Sequence, residues 1–562
     1  MKARHLTSLI ASACATAAFA AEPPIDLGEK NADTPGVPHY TNASVLMPDG
    51  GLESFFRVGL KEGITFFRTR STDDGRTWSE KEKIVMPPKD DWGGPMPLLD
   101  RDGELHFIIP KLRGHGRKPA EDLFVDLFHM RSSHGRTQWT NPERIFEGYV
   151  GSFQGFIQMK SGRIVAPFGA WQAGVSPTSH FGTNVTTCVY SDDGGAKWQQ
   201  SPAKLVAPCP ENTNGNTYGA VEPTLIELRD GRVWMLIRTE AGFLYESYSR
   251  DGAEWSPAQP SRFHSSHSPA FLLRMADGRI VNFWNNCETA PRVGKDGVYA
   301  GRDALHAAIS AYDGKTWSGF REVYRDATRN GSPPKDGDRG TAYPSATATK
   351  DGKILLVSGQ GANRRRRFLI DPEWLMEKSQ AENFENLDTW HLFKGIGKPV
   401  RYWRDRVQGP QLIAHPDKPG AKALRVCRPD ENDADGAVWN FPAGTRGTLT
   451  LRLRAEKNFG GGQISLLNRM FDPCDDNGEK LATFALKLGG ETAIAPGAWH
   501  TVELAWDTMK STCAVRVDGQ AAQTLPAEYP APDGVSYLRL RSTADAVDTA
   551  GFLVESVSVE IR

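Results

Sequence analysis

A short motif that recurs about every sixty residues constrains the fold of this chain most strongly. Its pattern is Ser-x-Asp-x-Gly-x-Thr-Trp, and it is kept closely in three copies, shortened by one residue in a fourth and degraded in a fifth. In chain order the copies begin at Ser71, Ser132, Ser191, Ser249 and Ser310, so successive copies lie 58 to 61 residues apart. A fixed period of this length indicates a repeat architecture in which each unit packs against its neighbours.

The residue types of the motif describe a turn rather than a reaction centre. In the first copy, Gly75 supplies the positive φ that a tight turn needs, and the Asp73 side chain can accept backbone N–H bonds within that turn. Trp78 is a large apolar side chain that can anchor the turn from below. We therefore expect the motif to have a structural role.

Short strand-like runs flank the motif copies and end in Asp-Gly or Ser-Gly turns. One example is Leu225–Leu228, which is followed by Asp230-Gly231 and then by the apolar run Val233–Ile237. A unit of about 55 to 60 residues with four short strands is typical of a propeller blade. Residues 38–378 hold six such units, and no long stretch shows the 3.6-residue periodicity of a helical repeat.

The pattern changes after the propeller. A short polar, Glu-rich stretch predicts a linker helix, and residues 379–390 are assigned to the linker. Alternating strands such as Thr448–Leu453 and Tyr537–Leu540 then predict an antiparallel β-sandwich over residues 391–562. Within it, Trp499–Asp507 resembles a strand of concanavalin/laminin-G-like jelly rolls, which bind sugar, pack or dimerise. The predicted fold class is all-β, a six-bladed β-propeller followed by a jelly-roll sandwich.

The N-terminus predicts export. Lys2 and Arg4 precede an Ala-rich apolar stretch that ends in the A-x-A site Ala18–Ala20, so residues 1–20 are interpreted as a signal peptide and 21–37 as an N-terminal extension. Cys14 leaves a lipoprotein as the alternative. No later segment is apolar enough to be a transmembrane helix, so we expect an exported protein, periplasmic or secreted.

Charge and cysteine content exclude some classes of protein and of site. Lys plus Arg number 67 and Asp plus Glu 68, and a formal net charge of −1 argues against a dedicated nucleic-acid binder. After the signal peptide six cysteines remain without a CxxC spacing, so we expect buried cysteines with a disulfide or two and no cysteine-based zinc site. They are Cys188, Cys209, Cys287, Cys427, Cys474 and Cys513. No cofactor is predicted.

The repeated motif resembles the Asp-box of the sialidase (neuraminidase) superfamily, and three further segments within residues 40–375 are similar to that family too. Val-Glu-Pro-Thr-Leu at 221–225, followed by Leu-Ile-Arg-Thr at 236–239, is similar to the stretch with an active-site Glu and a carboxylate-binding Arg, which implies these roles for Glu222 and Arg238. Arg302 lies in a segment similar to the family's R-x-x-L-x-x-A-I-S strand, which implies a second carboxylate-binding Arg. Thr-Ala-Tyr-Pro-Ser at 341–345 resembles the segment of the nucleophile and implies that role for Tyr343.

The chemistry of a sialic acid explains these residue types. Its anomeric carbon carries a carboxylate, which arginines bind bidentately while they stay charged. A phenol avoids the repulsion that a carboxylate nucleophile would meet, but it needs a base such as Glu222 to take its proton. Each residue also has a structural alternative, since Glu222 can satisfy a strand end and Tyr343 can be a packing residue.

The chain departs from the family pattern in its first repeat. The family has a further triad Arg at the first strand, where this chain reads His39–Ser44 without an Arg. The loop that should hold the acid/base Asp, Val58–Gly63, offers only Glu62. Other candidates to replace the missing groups are Arg57, Arg68, Asp90 and Asp91.

Two smaller patterns have alternative interpretations. His264 and His267 are either a metal pair or loop residues, and His267 can instead face the substrate near the axis. The basic run Arg364–Arg367 is interpreted as a solvated strand edge, with contact to an acidic glycan as the alternative.

The resemblance implies a secreted exo-α-sialidase that acts by retention, with Tyr343 as nucleophile. The site residues are then Tyr343, Glu222 and Glu62 for catalysis and Arg238, Arg302, Arg57 and His267 for binding. The expected partners are sialylated or other acidic glycans. The alternatives are a glycosidase or lyase acting on uronic or sulfated glycans and a carbohydrate-binding propeller without catalysis.

Overall fold

The computed structural model describes the chain at residues 21–29, 44–116, 118–133, 136–172, 182–208, 219–288, 301–326, 340–360, 365–395, 407–474, 477–489 and 494–562. The predicted signal peptide, Cys209, His134 of the degraded motif and the segment 39–43 lie outside these residues. The regular secondary structure of the described residues is almost wholly β-strand, and the helical elements among them are a 3₁₀ turn at Trp374–Met376 and a short α-helix, α1 (Asn477–Lys480).

Six small sheets follow one another along the chain. The N-terminal strand, β1 (Ile25–Glu29), is part of the sixth sheet. The first sheet contains β2 (Ser44–Leu46), β3 (Leu52–Leu60), β4 (Gly63–Ser71) and β5 (Glu82–Val85). The second contains β6 (Met96–Leu99), β7 (Leu105–Gly114), β8 (Leu123–Ser133), β9 (Gln138–Trp139) and β10 (Glu143–Phe146). The third contains β11 (Val150–Ser152), β12 (Ile157–Gln158), β13 (Ile164–Gln172), β14 (Thr183–Ser191) and β15 (Gln199–Gln200).

The remaining three sheets repeat the same antiparallel order. The fourth contains β16 (Val221–Glu227), β17 (Val233–Arg238), β18 (Phe243–Ser249) and β19 (Gln259–His264). The fifth contains β20 (Phe271–Arg274), β21 (Ile280–Trp284), β22 (Ala304–Ser310) and β23 (Ser318–Arg325). The sixth contains β24 (Ser345–Ala348), β25 (Ile354–Ser358), β26 (Arg366–Ile370) and, as its outer strand, β1.

These sheets are the blades of a closed propeller, named blade one to blade six in chain order. Their first strands line the centre, where β16 contacts β20, β20 contacts β24 and β24 contacts β2. Blades pack face to face through apolar side chains; Ile108 of blade two, for example, shares a cluster with Phe168 of blade three. The pairing of β1 with β26 joins the two ends of the ring, so Ile25–Glu29 is a blade strand rather than part of an extension.

The motif copies form turns, as predicted. In four of them the serine hydroxyl accepts the N–H of the turn glycine, at 2.9 Å for Ser71, 2.8 Å for Ser191, 2.7 Å for Ser249 and 2.9 Å for Ser310. Each of these serines is the last residue of the third strand of its blade. The motif turns therefore all lie at one end of the propeller, and the opposite end is left for loops that begin the first strands.

The C-terminal part is a two-sheet sandwich, which completes the predicted fold class. One sheet contains β27 (Ser379–Glu382), β30 (Gln411–Ala414), β31 (Lys422–Arg428), β33 (Arg446–Ala455), β36 (Trp499–Asp507), β37 (Thr512–Val517), β38 (Gln520–Pro526) and β40 (Asp548–Ile561). The other contains β28 (Trp390–Gly395), β29 (Val407–Gln408), β32 (Ala434–Gly444), β34 (Gly462–Leu467), β35 (Phe484–Leu488) and β39 (Val535–Ser542). Alternate residues of β33 and β36 are buried between the sheets, which is the period expected of half-buried strands.

Two expectations from the sequence are wrong. The stretch expected to form a linker helix forms the 3₁₀ turn and then β27, which pairs with β40. The reason is that β31 pairs only with the first part of β40, so the last residues of β40 have a free side for hydrogen bonds. No disulfide is found among the described cysteines: Cys188, Cys287 and Cys513 lie in three different apolar clusters, and the Cys427 thiol donates to Asp435 Oδ2 at 3.3 Å. These free cysteines are Cys188, Cys287, Cys427, Cys474 and Cys513.

Candidate functional site

The propeller topology gathers the predicted site residues at the end opposite the motif turns. In an antiparallel blade the first strand begins, the second ends and the third begins at the same edge. Glu222 lies at the start of β16 and Arg238 at the end of β17, both in blade four. Tyr343 comes just before β24 and Arg302 just before β22. Residues from three blades therefore meet at one end of the axis.

Tyr343, Glu222 and Arg238 form a hydrogen-bonded triangle. The Tyr343 hydroxyl donates to Glu222 Oε1 at 3.0 Å, and Arg238 Nη1 lies 3.2 Å from the same hydroxyl oxygen. Arg238 Nη1 also donates to Glu222 Oε2 in a buried ion pair. The carboxylate thus faces the phenolic proton on one oxygen and a fixed cation on the other.

The backbone at Glu222 and Tyr343 is in the left-handed region, with φ of 50° and 65°. Neither residue is a glycine, so each conformation is sparsely populated and costs about 1 kcal/mol or more. At Glu222 the register between β16 and β17 shifts, and the Glu222 N–H donates to Ser152 Oγ at 2.7 Å. The surrounding blades hold both side chains in orientations that a regular strand would not give them.

Arg302 lies beside this triangle and is fully buried. Its Nη1 donates to Gln360 Oε1 at 2.5 Å and its Nη2 to the His267 carbonyl oxygen at 2.8 Å. Its Cζ lies 5.6 Å from the centre of the Tyr343 ring. The guanidinium is therefore fixed against the face of the tyrosine.

His267 connects Arg238 to an acidic residue that sequence reasoning missed. Arg238 Nη2 lies 3.3 Å from His267 Nδ1, and Glu240 Oε1 lies 3.7 Å from the same nitrogen. Glu240 follows Arg238 by two residues, and its side chain is buried at this end of blade four. Its closeness in sequence to a predicted binding residue is the one signal that would have identified it.

Burial and charge set the protonation of the triangle. Burial, with the Glu222 carboxylate as second cause, raises the pKa of Tyr343 above its ordinary value, so the phenol keeps its proton at neutral pH. Burial alone would lower the pKa of Arg238, but Glu222 and Tyr343 hold it above the ordinary value. The arrangement is a protonated phenol, a base within hydrogen-bond distance and a permanent cation.

Glu62 and Arg57 are not brought into contact with the triangle. Glu62 is exposed in the β3–β4 turn of blade one, at the same end of the propeller as the triangle. Arg57 Nη1 donates to the Trp92 carbonyl oxygen at 2.8 Å, which holds it between blades one and two. Arg68 pairs with Glu82, and Asp90 with Lys111.

The basic run is not a solvated strand edge, and that prediction is wrong. Arg364 lies outside the described residues, but Arg367 is buried and the Nε and Nη2 atoms of Arg365 are buried as well. The reason is that β26 is not an edge strand, because it pairs with β25 on one side and with β1 on the other. Arg366 pairs with Asp26 of β1 at 2.7 Å.

No group of three or more His, Cys, Asp or Glu side chains that could hold a metal ion occurs in the described part of the chain. His264 packs against Phe243 with ring centres 4.3 Å apart. Nor do the described residues include a helix long and apolar enough to cross a membrane. What the site does contain is a hydrogen-bonded phenol and carboxylate beside buried guanidinium groups, which could bind an anion.

Comparison with known proteins gives one family match. Residues 51–356 match the family described as BNR repeat-like domain. No curated protein gives a significant sequence match.

Several solved structures are similar at low identity. Trypanosoma rangeli sialidase is 14% identical, with 96% of each chain covered and a TM-score of 0.41. A protein of unknown function from Dyadobacter fermentans is 17% identical over 62% of this chain and 97% of its own, with a TM-score of 0.43. A mutant of NanB sialidase from Streptococcus pneumoniae is 12% identical over 63% of this chain and 71% of its own, with a TM-score of 0.42.

Proposed function

The chain belongs to the BNR repeat-like domain family, and from this premise we propose that it is a glycoside hydrolase that releases terminal sialic acid from glycoconjugates. The observation that carries the proposal is the triangle of Tyr343, Glu222 and Arg238, with 3.0 Å between phenol and carboxylate. A phenol paired with a base suits attack on an anomeric carbon that itself bears a carboxylate.

In the proposed reaction Arg238 and Arg302 bind the substrate carboxylate. Glu222 Oε1 takes the phenolic proton while the Tyr343 oxygen bonds to the anomeric carbon, and the bond from that carbon to the leaving oxygen breaks. The raised pKa of Tyr343 makes this base necessary, because little phenolate exists at neutral pH.

The leaving oxygen must receive a proton from an acid. We assign this role to Glu62, which lies in a turn at the same end of the propeller as the triangle. Water then attacks the anomeric carbon on the face that the leaving group vacated, and the bond from that carbon to the Tyr343 oxygen breaks. Glu62 takes a proton from the water, and Glu222 returns one to the Tyr343 oxygen. Two displacements at one carbon retain the anomeric configuration.

The test is hydrolysis of a fluorogenic α-sialoside and of natural sialoglycans by the purified protein, with the first anomer released identified by NMR. We expect free sialic acid that appears first as the α-anomer. No release from either substrate contradicts the proposal. Release of the β-anomer first contradicts the double displacement, and unsaturated products from a uronic-acid polysaccharide would identify a lyase instead.

The proposal includes export through residues 1–20, so that the enzyme meets glycans outside the cytoplasm. Mass spectrometry of the protein isolated from its natural host tests this point. We expect a chain that begins at Ala21, and a protein that retains Met1 contradicts export by a cleaved signal peptide.

A further inference from the structure

Arg365 lies next to the nucleophile through backbone contacts. It directly precedes β26, and its Nη1 donates to the Gly359 carbonyl oxygen at 2.9 Å. The Gly359 N–H in turn donates to the carbonyl oxygen of Ala342 at 2.9 Å, and Ala342 precedes Tyr343 in the chain. The guanidinium is thereby fixed at the same end of the propeller as the triangle.

The same segment also holds Arg302. Gln360, the residue after Gly359, accepts from Arg302 Nη1, and the Arg302 carbonyl oxygen accepts the Thr341 N–H at 2.8 Å. Two guanidinium groups are thus bound to consecutive residues, Gly359 and Gln360, which directly follow β25. β25 pairs with β24, the strand that begins just after Tyr343. Arg238 reaches the tyrosine from the other side through its hydroxyl.

Two donors of Arg365 have no acceptor within the described residues. Its Nε and Nη2 are buried, and neither has a hydrogen-bond partner there. Burial lowers the pKa of Arg365 to about 10, and no carboxylate among the described residues compensates the charge. A buried charged group left this way is costly, so such groups in proteins are normally paired.

The two unsatisfied atoms are the pair that binds a carboxylate side-on. Elsewhere in this propeller Arg68 uses its Nε and Nη2 to bind both oxygens of Glu82, at 2.9 and 3.1 Å. Arg163 uses the same two atoms toward Asp192, at 2.7 and 3.0 Å. In Arg365 this pair of donors, called the Nε–Nη2 fork below, has no partner among the described residues and can bind a planar anion.

We propose that Arg365 binds the substrate carboxylate together with Arg238 and Arg302. It would be the third guanidinium of a site for which the segment His39–Ser44 supplies no arginine. The inference rests on the proposed function for the identity of the ligand as an acidic sugar. It makes the basic run a functional element of blade six in which Arg365 faces the substrate and Arg366 faces Asp26.

The test is calorimetric titration of the full chain with N-acetylneuraminic acid and with its neutral methyl ester. In Arg365→Met we expect the acid to bind about 10- to 100-fold more weakly, because a charge-assisted pair is lost, while the ester binds as to the wild type. Arg365→Lys, which keeps the charge but not the fork, should fall between. Arg366→Met is the matched control and should bind the acid as the wild type does.

Equal binding of the acid to Arg365→Met and wild type would overturn the inference. If Arg365→Met does not fold, Arg365→Lys decides, and wild-type affinity in that variant overturns the fork. A wild type that binds the acid but releases no sialic acid from any sialoside contradicts the proposed function, and loss of acid binding in Arg365→Met would still support this role for Arg365.

Discussion

The Tyr343 hydroxyl donates to Glu222 Oε1 at 3.0 Å, and the two residues come from different blades that both hold them at positive φ. Such backbone strain persists only where the surrounding structure determines it. The strands of blades four and six supply that support, since β16 and β24 both pack against β20. The pair is therefore held at hydrogen-bond distance before any ligand binds, and in the proposed reaction this would lower the entropy cost.

The first prediction is that Tyr343→Phe abolishes sialoside hydrolysis. We expect kcat to fall about 10³-fold or more, since the nucleophile is removed while the ring remains. Steady-state kinetics measures the loss, and the melting temperature checks the fold. Tyr312→Phe is the matched control, because Tyr312 is 67% exposed and lies in a motif turn, at the end of the propeller opposite the triangle. Full activity in Tyr343→Phe would refute the assigned nucleophile.

A second prediction concerns the buried ion pair of Arg238 and Glu222. Arg238→Met leaves the Glu222 carboxylate buried without its cation, and we expect a loss of about 3 to 5 kcal/mol in unfolding free energy. Adding Glu222→Gln removes the unpaired buried charge, so the unfolding free energy of the double variant should be about 1 to 3 kcal/mol higher than that of Arg238→Met. Urea unfolding at pH 7 measures both values. Strict additivity of the two single changes would show that the residues are not coupled.

The fold class could be predicted from the sequence because the turns that define the repeat are stabilised by local hydrogen bonds. The Ser71 and Ser191 hydroxyls each accept a hydrogen bond from a residue four positions later, so a short stretch of sequence is enough to recognise the motif. The same holds for Glu222 and Arg238, which face each other across one hairpin. Their meeting with Tyr343 of blade six follows only once the ring is closed.

The features that were predicted wrongly from the sequence depend on residues that are distant in the chain. Four consecutive arginines look solvated, yet the N-terminal strand β1 pairs with β26 and Arg367 is buried. The polar stretch after Trp374 looks helical, yet β27 forms because the last residues of β40, nearly two hundred residues later, have a free side for pairing. Local propensity is overridden by tertiary contact in both cases.

A third prediction addresses the contact between propeller and sandwich. Glu322 of β23 accepts from the Tyr537 hydroxyl at 2.6 Å and from His391 Nε2 at 2.9 Å, both in the sandwich. Burial would raise the pKa of Glu322, but His391 and Arg325 hold it well below the ordinary value, so the group is a buried carboxylate at neutral pH.

Glu322→Gln should therefore destabilise the protein by about 3 kcal/mol and separate the melting of the two parts. Calorimetry checks this as the splitting of one transition into two. Glu373→Gln is the control, because Glu373 is 61% exposed in its ion pair with Arg279 and should change stability by less than about 1 kcal/mol. An unsplit transition at the wild-type temperature would exclude Glu322 as the coupling group.

The last prediction is a pH dependence of stability that originates at His264. Burial, reinforced by Arg469, lowers the pKa of His264 from 6.5 to about 3. Above pH 6.5 the ring is neutral in both states and its contribution to stability is complete. As the pH falls from 6.5 toward 3, the unfolded chain binds a proton that the folded chain does not, so stability is lost at up to about 1.4 kcal/mol per pH unit.

His264→Phe removes this loss while it keeps a ring against Phe243. We expect the melting temperature of the variant to rise relative to the wild type as the pH is lowered from 6.5 to 4, whatever their difference at pH 7.5. Scanning calorimetry at both ends of the range measures the change. The buried His129, whose pKa is also about 3, titrates identically in both proteins and cancels in the comparison. A constant difference across the range would show that His264 is not the proton acceptor on unfolding.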